Sequence, residues 1–337
     1  MIHQQVEFHN VAELREVDSL PGLRLQRVPE KVRLCLNEMA QFQMLSPAGA
    51  EIRFVSESPT VRITLSCPEG AADIIPFWGL FQSPERHTVG PEPVTLSFAY
   101  PEQLAAVDAA IGDKMAFSPR VWRFTLSGSA VHFHGIEGEG LRPPTPEELP
   151  KLRYLAYGTS ITHGACASAM HIAYANQTAR RLDADLINLG VGGSAFCERE
   201  LSDYIASRDD WDIASLALSV NMLGFTLEDF AKAVSYMVNT VAGSNTKRPV
   251  ACITLFTFFP DVCPSMEPHN DDVKIGRFRQ ALRDAVADCP HPNVHLIEGT
   301  DILTDFGGLT PDILHPADHG MIQMGENLAR KLKEIIG

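Results

Sequence analysis

The sequence predicts an all-β sandwich followed by an α/β domain built on a parallel sheet. Three observations carry this. The first 140 or so residues are rich in short β-type runs, a stretch dense in Gly and Pro follows, and after Pro150 short apolar runs alternate with helical periodicity. A chain of 337 residues also exceeds one ordinary core, so two domains are expected. The boundaries read as 1–142 for the sandwich and 151–337 for the α/β domain.

In the first part, Arg53–Val55, Thr60–Ser66, Ile74–Phe81, Val94–Tyr100 and Val121–His134 are rich in Val, Ile, Thr and aromatics. Gly, Pro, Ser and Glu clusters separate them. Val61-Arg62-Ile63-Thr64-Leu65 alternates as a strand with one wet face should. Several short strands with turn signals between them suggest a sandwich, jelly-roll-like in kind. Phe77, Trp78 and Trp122 read as its core, with Trp78 also a candidate sugar-stacking surface. His132 and His134 share a strand face by alternation, but no third metal ligand accompanies them. Gly138 to Pro150 holds two glycines and four prolines and cannot sustain helix or sheet, so it is the linker.

Beyond it the strands read as Leu152–Tyr157, Asp185–Leu189, Ile213–Val220, Val250–Phe256 and Val294–Ile297. Helical spacing marks Ile172–Leu182, then Leu227 to Val241 behind a Thr226/Asp229 cap, then Ile275 to Val286, and finally Ile322 to Ile336. Strands alternating with helices imply a parallel sheet covered on both faces. Ligands bind such sheets beyond the carboxyl ends of the strands.

Composition narrows the function classes. Hydrophobic residues at 45% and charged residues at 21% describe an ordinary globular protein. A net charge of −14 with no dense Lys/Arg run disfavours nucleic acid and anionic membrane as partners. No apolar run reaches the length of a membrane span, and the opening residues lack the basic start and apolar core of a secretory signal. The expectation is a soluble, cytoplasmic protein. Seven cysteines at irregular spacings, without Cys-x-x-Cys, read as free and mostly buried thiols. No metal or organic cofactor is called for, and an oligomer stays open.

The strand ends carry the chemistry. The first runs into Tyr157-Gly158-Thr159-Ser160-Ile161-Thr162-His163-Gly164. A serine at the rim of a sheet is a candidate nucleophile whose own N–H can face an oxyanion; a plain helix cap is the competing reading. The second ends in Asn188-Leu189-Gly190-Val191-Gly192-Gly193-Ser194, where glycines let backbone N–H groups approach a ligand, or merely form a tight turn. The third ends in Leu218-Ser219-Val220-Asn221, where an Asn can offer its side-chain amide or simply turn the chain. Before the last helix stands Thr310-Pro311-Asp312-Ile313-Leu314-His315-Pro316, which can set an acid beside a histidine. Each signal alone is weak. Together they supply a nucleophile (Ser160), a base (His315), an orienting acid (Asp312) and oxyanion donors (Ser160, Gly193, Asn221) in chain order. Phe256 to Pro264, an apolar loop after a strand, is a candidate wall for the acyl group.

These blocks resemble the SGNH, or GDSL-type, hydrolase superfamily over roughly residues 151–337. Ser160, Gly193, Asn221 and His315 with Asp312 match its four blocks. The resemblance implies a flavodoxin-like three-layer domain, and the string from Tyr157 to Ser168 is similar to a subgroup with an N-terminal β-sandwich. Three positions depart: Thr159 stands for the usual Asp before the serine, and Ser219 and Met222 for the usual Gly and Asp of the third block. The expected activity is a serine esterase that removes a short acyl group, acetyl first, from a carbohydrate or other small polar ester through an acyl-enzyme. An acyltransferase using the same serine is the alternative. A carbohydrate-binding protein with an inactive hydrolase domain is the reading from another class.

Overall fold

The computed structural model describes residues 1–107, 109–112, 114–263 and 270–337. Its contacts divide the chain into two compact units: Met1–Lys31 with Met44–Lys151, and Val32–Gln43 with Leu152–Gly337.

The first unit holds two antiparallel sheets. One pairs Ile2–His3, Val6–His9, Glu51–Phe54, Trp122–Gly128, Ala72–Trp78 and Phe81–Gln82 in that order, with His87–Val89 on the far part of Ala72–Trp78. The other runs Val94–Ala99, Thr60–Ser66, His132–Glu137, Leu20–Gln26 and Glu13–Val17. Alternation selects the side chains that close between them: Val61, Ile63 and Leu65 from one sheet meet Ile52, Phe54, Ile74, Trp122 and Phe124 from the other in a single core. Trp78 and Trp122 both belong to this core, at 7% and 1% exposure, which removes Trp78 as an exposed stacking platform. The expected strand Val121–His134 is two strands in different sheets, because the chain turns at Gly128 with φ +102°. His132 and His134 are occupied separately, by the Pro21 carbonyl and the Ser66 hydroxyl.

The second unit carries a five-stranded sheet in the order Ala184–Gly190, Leu152–Gly158, Ile213–Ala217, Val250–Ile253, Val294–Ile297. Every pair is parallel. In chain order this is 2-1-3-4-5, the flavodoxin-like arrangement, with its switch point between the first and third strands. Helices Tyr174–Arg181 and Asp318–Ile336 bury Tyr174, Ala175, Met321, Met324 and Leu328 on the sheet's Tyr154, Ala156 and Ile253. The helix Leu227–Ser244 follows its sequence pattern: Thr226 Oγ1 accepts from the Asp229 N–H at 3.1 Å, and Phe230, Val234, Met237, Val238 and Val241 are buried. Phe230 packs on Phe278 of Asn270–Ala287, ring to ring at 4.7 Å.

Two strands are shorter than expected. Ile213–Val220 stops at Ala217, and Val250–Phe256 stops at Ile253. Pairing ends there because each chain peels away to build the rim: Val220–Met222 becomes one 3₁₀ turn carrying Asn221. Among the described residues the seven cysteines form no disulfide; Cys67, Cys197 and Cys252 are buried, while Cys35 and Cys166 are exposed. Among the described residues, no helix is long and apolar enough to cross a membrane.

Candidate active site

Ser160 opens a single helical turn, Ser160–His163, straight after the first strand. At this first position its N–H has no acceptor within the turn. Thr159 is the N-cap, and its hydroxyl accepts from the Ile161 N–H at 3.4 Å. The Thr that departs from the expected Asp therefore still holds the turn. Thr162 inside the turn is tied to the buried Tyr174 hydroxyl at 2.7 Å, and burial pushes that phenol well above its ordinary range, so it stays neutral and can only hydrogen-bond.

The second strand braces this turn. Asn188 donates from Nδ2 to the Thr162 carbonyl at 2.9 Å and accepts the Gly190 N–H at 2.8 Å. A Cβ on Gly190 would overlap the backbone of His163, so only glycine allows this close approach. His163 itself is spent on the Gly190 carbonyl at 3.2 Å.

Ser160 Oγ lies 2.8 Å from His315 Nε2, and His315 Nδ1 lies 2.6 Å from Asp312 Oδ2. The other oxygen of Asp312 accepts from the N–H groups of Leu314 and His315, both at 2.9 Å, and from the Thr310 hydroxyl at 2.7 Å. Partial desolvation works to raise this carboxyl. The hydrogen bonds from His315, Thr310 and Leu314 outweigh it and hold the group well below the usual carboxylate range. An ionised Asp312 can only accept, so the ring carries its proton on Nδ1 and leaves Nε2 to accept from Ser160. The loop that sets this geometry closes on itself, with the Thr310 N–H on the His315 carbonyl at 2.8 Å. Ile313 between them sits at φ +53°, a strained conformation for a β-branched residue.

Asn221 is tied to the loop that carries Gly193. Asn221 Oδ1 accepts from the Ala195 N–H at 3.1 Å, which leaves its Nδ2 as a free-standing donor group on the opposite edge. Ser219 donates its hydroxyl to the Ala195 carbonyl at 2.6 Å, so this second departure adds a brace. Met222, the third, is fully buried. Gly193 turns at φ +68° with open space where a side chain would stand. Its positive φ, and not crowding, is what calls for glycine.

A small apolar cavity is lined by sequence neighbours of these groups. Thr159 and Ile161 flank Ser160, Ser219 and Val220 precede Asn221, Leu314 precedes His315, and Leu255 to Phe258 close the far side. Its volume is about 20 Å³. Phe256 and Phe258 of the expected segment line this cavity; Pro264 lies outside the described residues. Sequence reading missed Asn188, Thr162, Tyr174 and Ser219 as braces, because a brace is defined by what it reaches and not by a pattern.

Solved structures share this architecture. A salicylyl-acyltransferase from a tetracycline biosynthetic pathway matches with a TM-score of 0.79 at 15% identity, covering 98% of this chain and 95% of that one. A family two carbohydrate esterase from Cellvibrio japonicus matches at 0.61 and 14%, covering 99% and 96%. One from Clostridium thermocellum, in complex with cellohexaose, matches at 0.58 and 14%, covering 86% and 92%. No curated protein matches. Residues 152–333 match the GDSL-like lipase/acylhydrolase family, and because this is more than half of the chain, the protein belongs to that family of serine ester hydrolases.

Proposed function

We propose that this protein is an esterase that removes a short acyl group, acetyl by size, from a small polar ester such as an acylated sugar. The observation that carries the reading is the unbroken chain from Ser160 Oγ through His315 to Asp312, with links of 2.8 and 2.6 Å. Ser160 attacks the ester carbonyl while His315 takes its proton. The tetrahedral oxyanion is held by the N–H groups of Ser160 and Gly193 and by Asn221 Nδ2. Losing one such donor costs about 10²–10³ in turnover. His315 then protonates the leaving alcohol, and water, activated by the same ring, releases the acid from Ser160.

The small acyl size is read from the apolar cavity whose lining residues neighbour Ser160, Asn221 and His315 in sequence. About 20 Å³ holds little more than a methyl group or one water. The alcohol side is read from fold neighbours that act on carbohydrate esters, and from a protein charge of −14, which favours neutral substrates over anionic ones. A second reading has an alcohol acceptor in place of water, as in the acyltransferase of matching fold. It uses the same acyl-enzyme, and product analysis with added polyols separates the two. An assembled triad argues against an inactive binding protein.

The test is hydrolysis of p-nitrophenyl acetate. Ser160→Ala is expected to abolish turnover with an unchanged circular dichroism spectrum; full turnover in that variant overturns the reading.

A further inference from the structure

The loop that carries Gly193 is held from both sides, and one side comes from far away in the chain. Residues 32–43, which precede the strand Glu51–Phe54 in sequence, belong to the same compact unit as the α/β domain. Asn37 is the pivot of this arm. Its Oδ1 accepts from the Ala40 N–H at 3.0 Å and caps the helix Glu38–Gln43. Its backbone N–H donates to Glu198 Oε1 at 2.6 Å, and its Nδ2 donates to the Ser194 carbonyl at 3.3 Å. At the arm's other end the Gln43 carboxamide stands where a side chain on Gly192 would point. The arm thus touches the loop at 192, 194 and 198, on both sides of Gly193.

The bond to Ser194 matters most. The peptide joining Ser194 to Ala195 presents its carbonyl to Asn37 Nδ2 and its N–H to Asn221 Oδ1. One peptide plane therefore links the two asparagine amides. A bond accepted at the carbonyl polarises the N–H on the other side, which strengthens its grip on Asn221. That grip sets which edge of the Asn221 amide carries the donor. Ser219, on the Ala195 carbonyl, anchors the next peptide.

We propose that Asn37 is a positioning residue for the oxyanion site: it fixes the Ser194–Ala195 peptide and, through it, the Asn221 amide and the Gly193 turn. This inference rests on the esterase reading above. It assigns Asn37 no contact with substrate.

The test compares Asn37→Ser and Asn37→Asp with the wild type. Both replacements keep a side-chain oxygen that caps the arm's helix. Both lose the donor to Ser194, and Asp sets a carboxylate oxygen against its carbonyl. In p-nitrophenyl acetate hydrolysis, Asn37→Ser is expected to lower kcat about 10-fold and Asn37→Asp more, with KM, the shape of the pH profile and the melting temperature held. Affinity for a boronic acid, whose tetrahedral adduct carries the oxyanion, should fall in step with kcat. Wild-type kcat and boronate affinity in both variants overturn the inference while leaving the esterase reading intact. A loss seen in KM or melting temperature alone also overturns it, since that marks a merely structural role. A wild type without esterase activity overturns both, and that outcome is distinguishable because the variants then show nothing to compare.

Discussion

Asp312 shows how much of the site is settled by a single side chain. Its two oxygens accept four hydrogen bonds, two of them from the backbone of its own loop. They hold the carboxyl well below its ordinary range even against partial burial. The sign of the stability effect follows. A carboxyl depressed in the folded state stabilises at pH above its unfolded value, and that contribution fades as pH falls toward the folded value. Asp312→Asn is therefore expected to destabilise at pH 7 and to cost progressively less as the pH falls below about 4. Thermal melts of both proteins across pH 3–7 check this; a gap that widens on acidification contradicts it. Activity should fall much further than stability, by about 10⁴ in kcat, because an amide can donate to Nδ1 and hold the ring in the wrong tautomer.

At the scale of elements, the site stands where the strand order reverses. Ser160 follows the first strand and Asn221 the third, neighbours in the sheet. The cavity between their turns is bounded by Val220 and the two phenylalanines after the fourth strand. Val220→Ala removes two methyl groups from that wall. It should raise p-nitrophenyl butyrate turnover relative to acetate by about 10-fold, the worth of a methylene in an apolar pocket. An unchanged ratio in kcat/KM places the acyl group elsewhere. Much of this layout was legible in the sequence, since each strand end displays its own residues: Ser160, Gly193, Asn221 and Asp312 with His315 all lie on short turns. Alternation likewise revealed Thr60–Ser66, and β-type composition revealed Val94–Tyr100, which forms as Val94–Ala99. Leu20–Gln26 was not read as a strand, since Pro21 and Gly22 interrupt its pattern, yet the strand forms around a φ of +79° at Gly22. Val121–His134 read as one strand because Gly128 alone marks its corner. Asn37 could not be seen at all. Its partners Ser194 and Glu198 lie 157 and 161 residues away, and no local period encodes such a contact.

For the molecule as a whole, chain order and compact units do not coincide. The second unit takes Val32–Gln43 from the middle of what the sequence presents as sandwich. The catalytic sheet thus borrows a segment that the strand-and-helix alternation after Pro150 cannot reveal. The molecule's function turns on the chemistry at Ser160, and a covalent probe tests it most directly. A p-nitrophenyl phosphonate ester should release one equivalent of nitrophenol and add one phosphonyl group, mapped by peptide mass spectrometry to the segment holding Ser160. The adduct should be absent from Ser160→Ala and should form far more slowly in His315→Ala. An unmodified Ser160 in the active protein, or an adduct that persists in Ser160→Ala, would contradict the account.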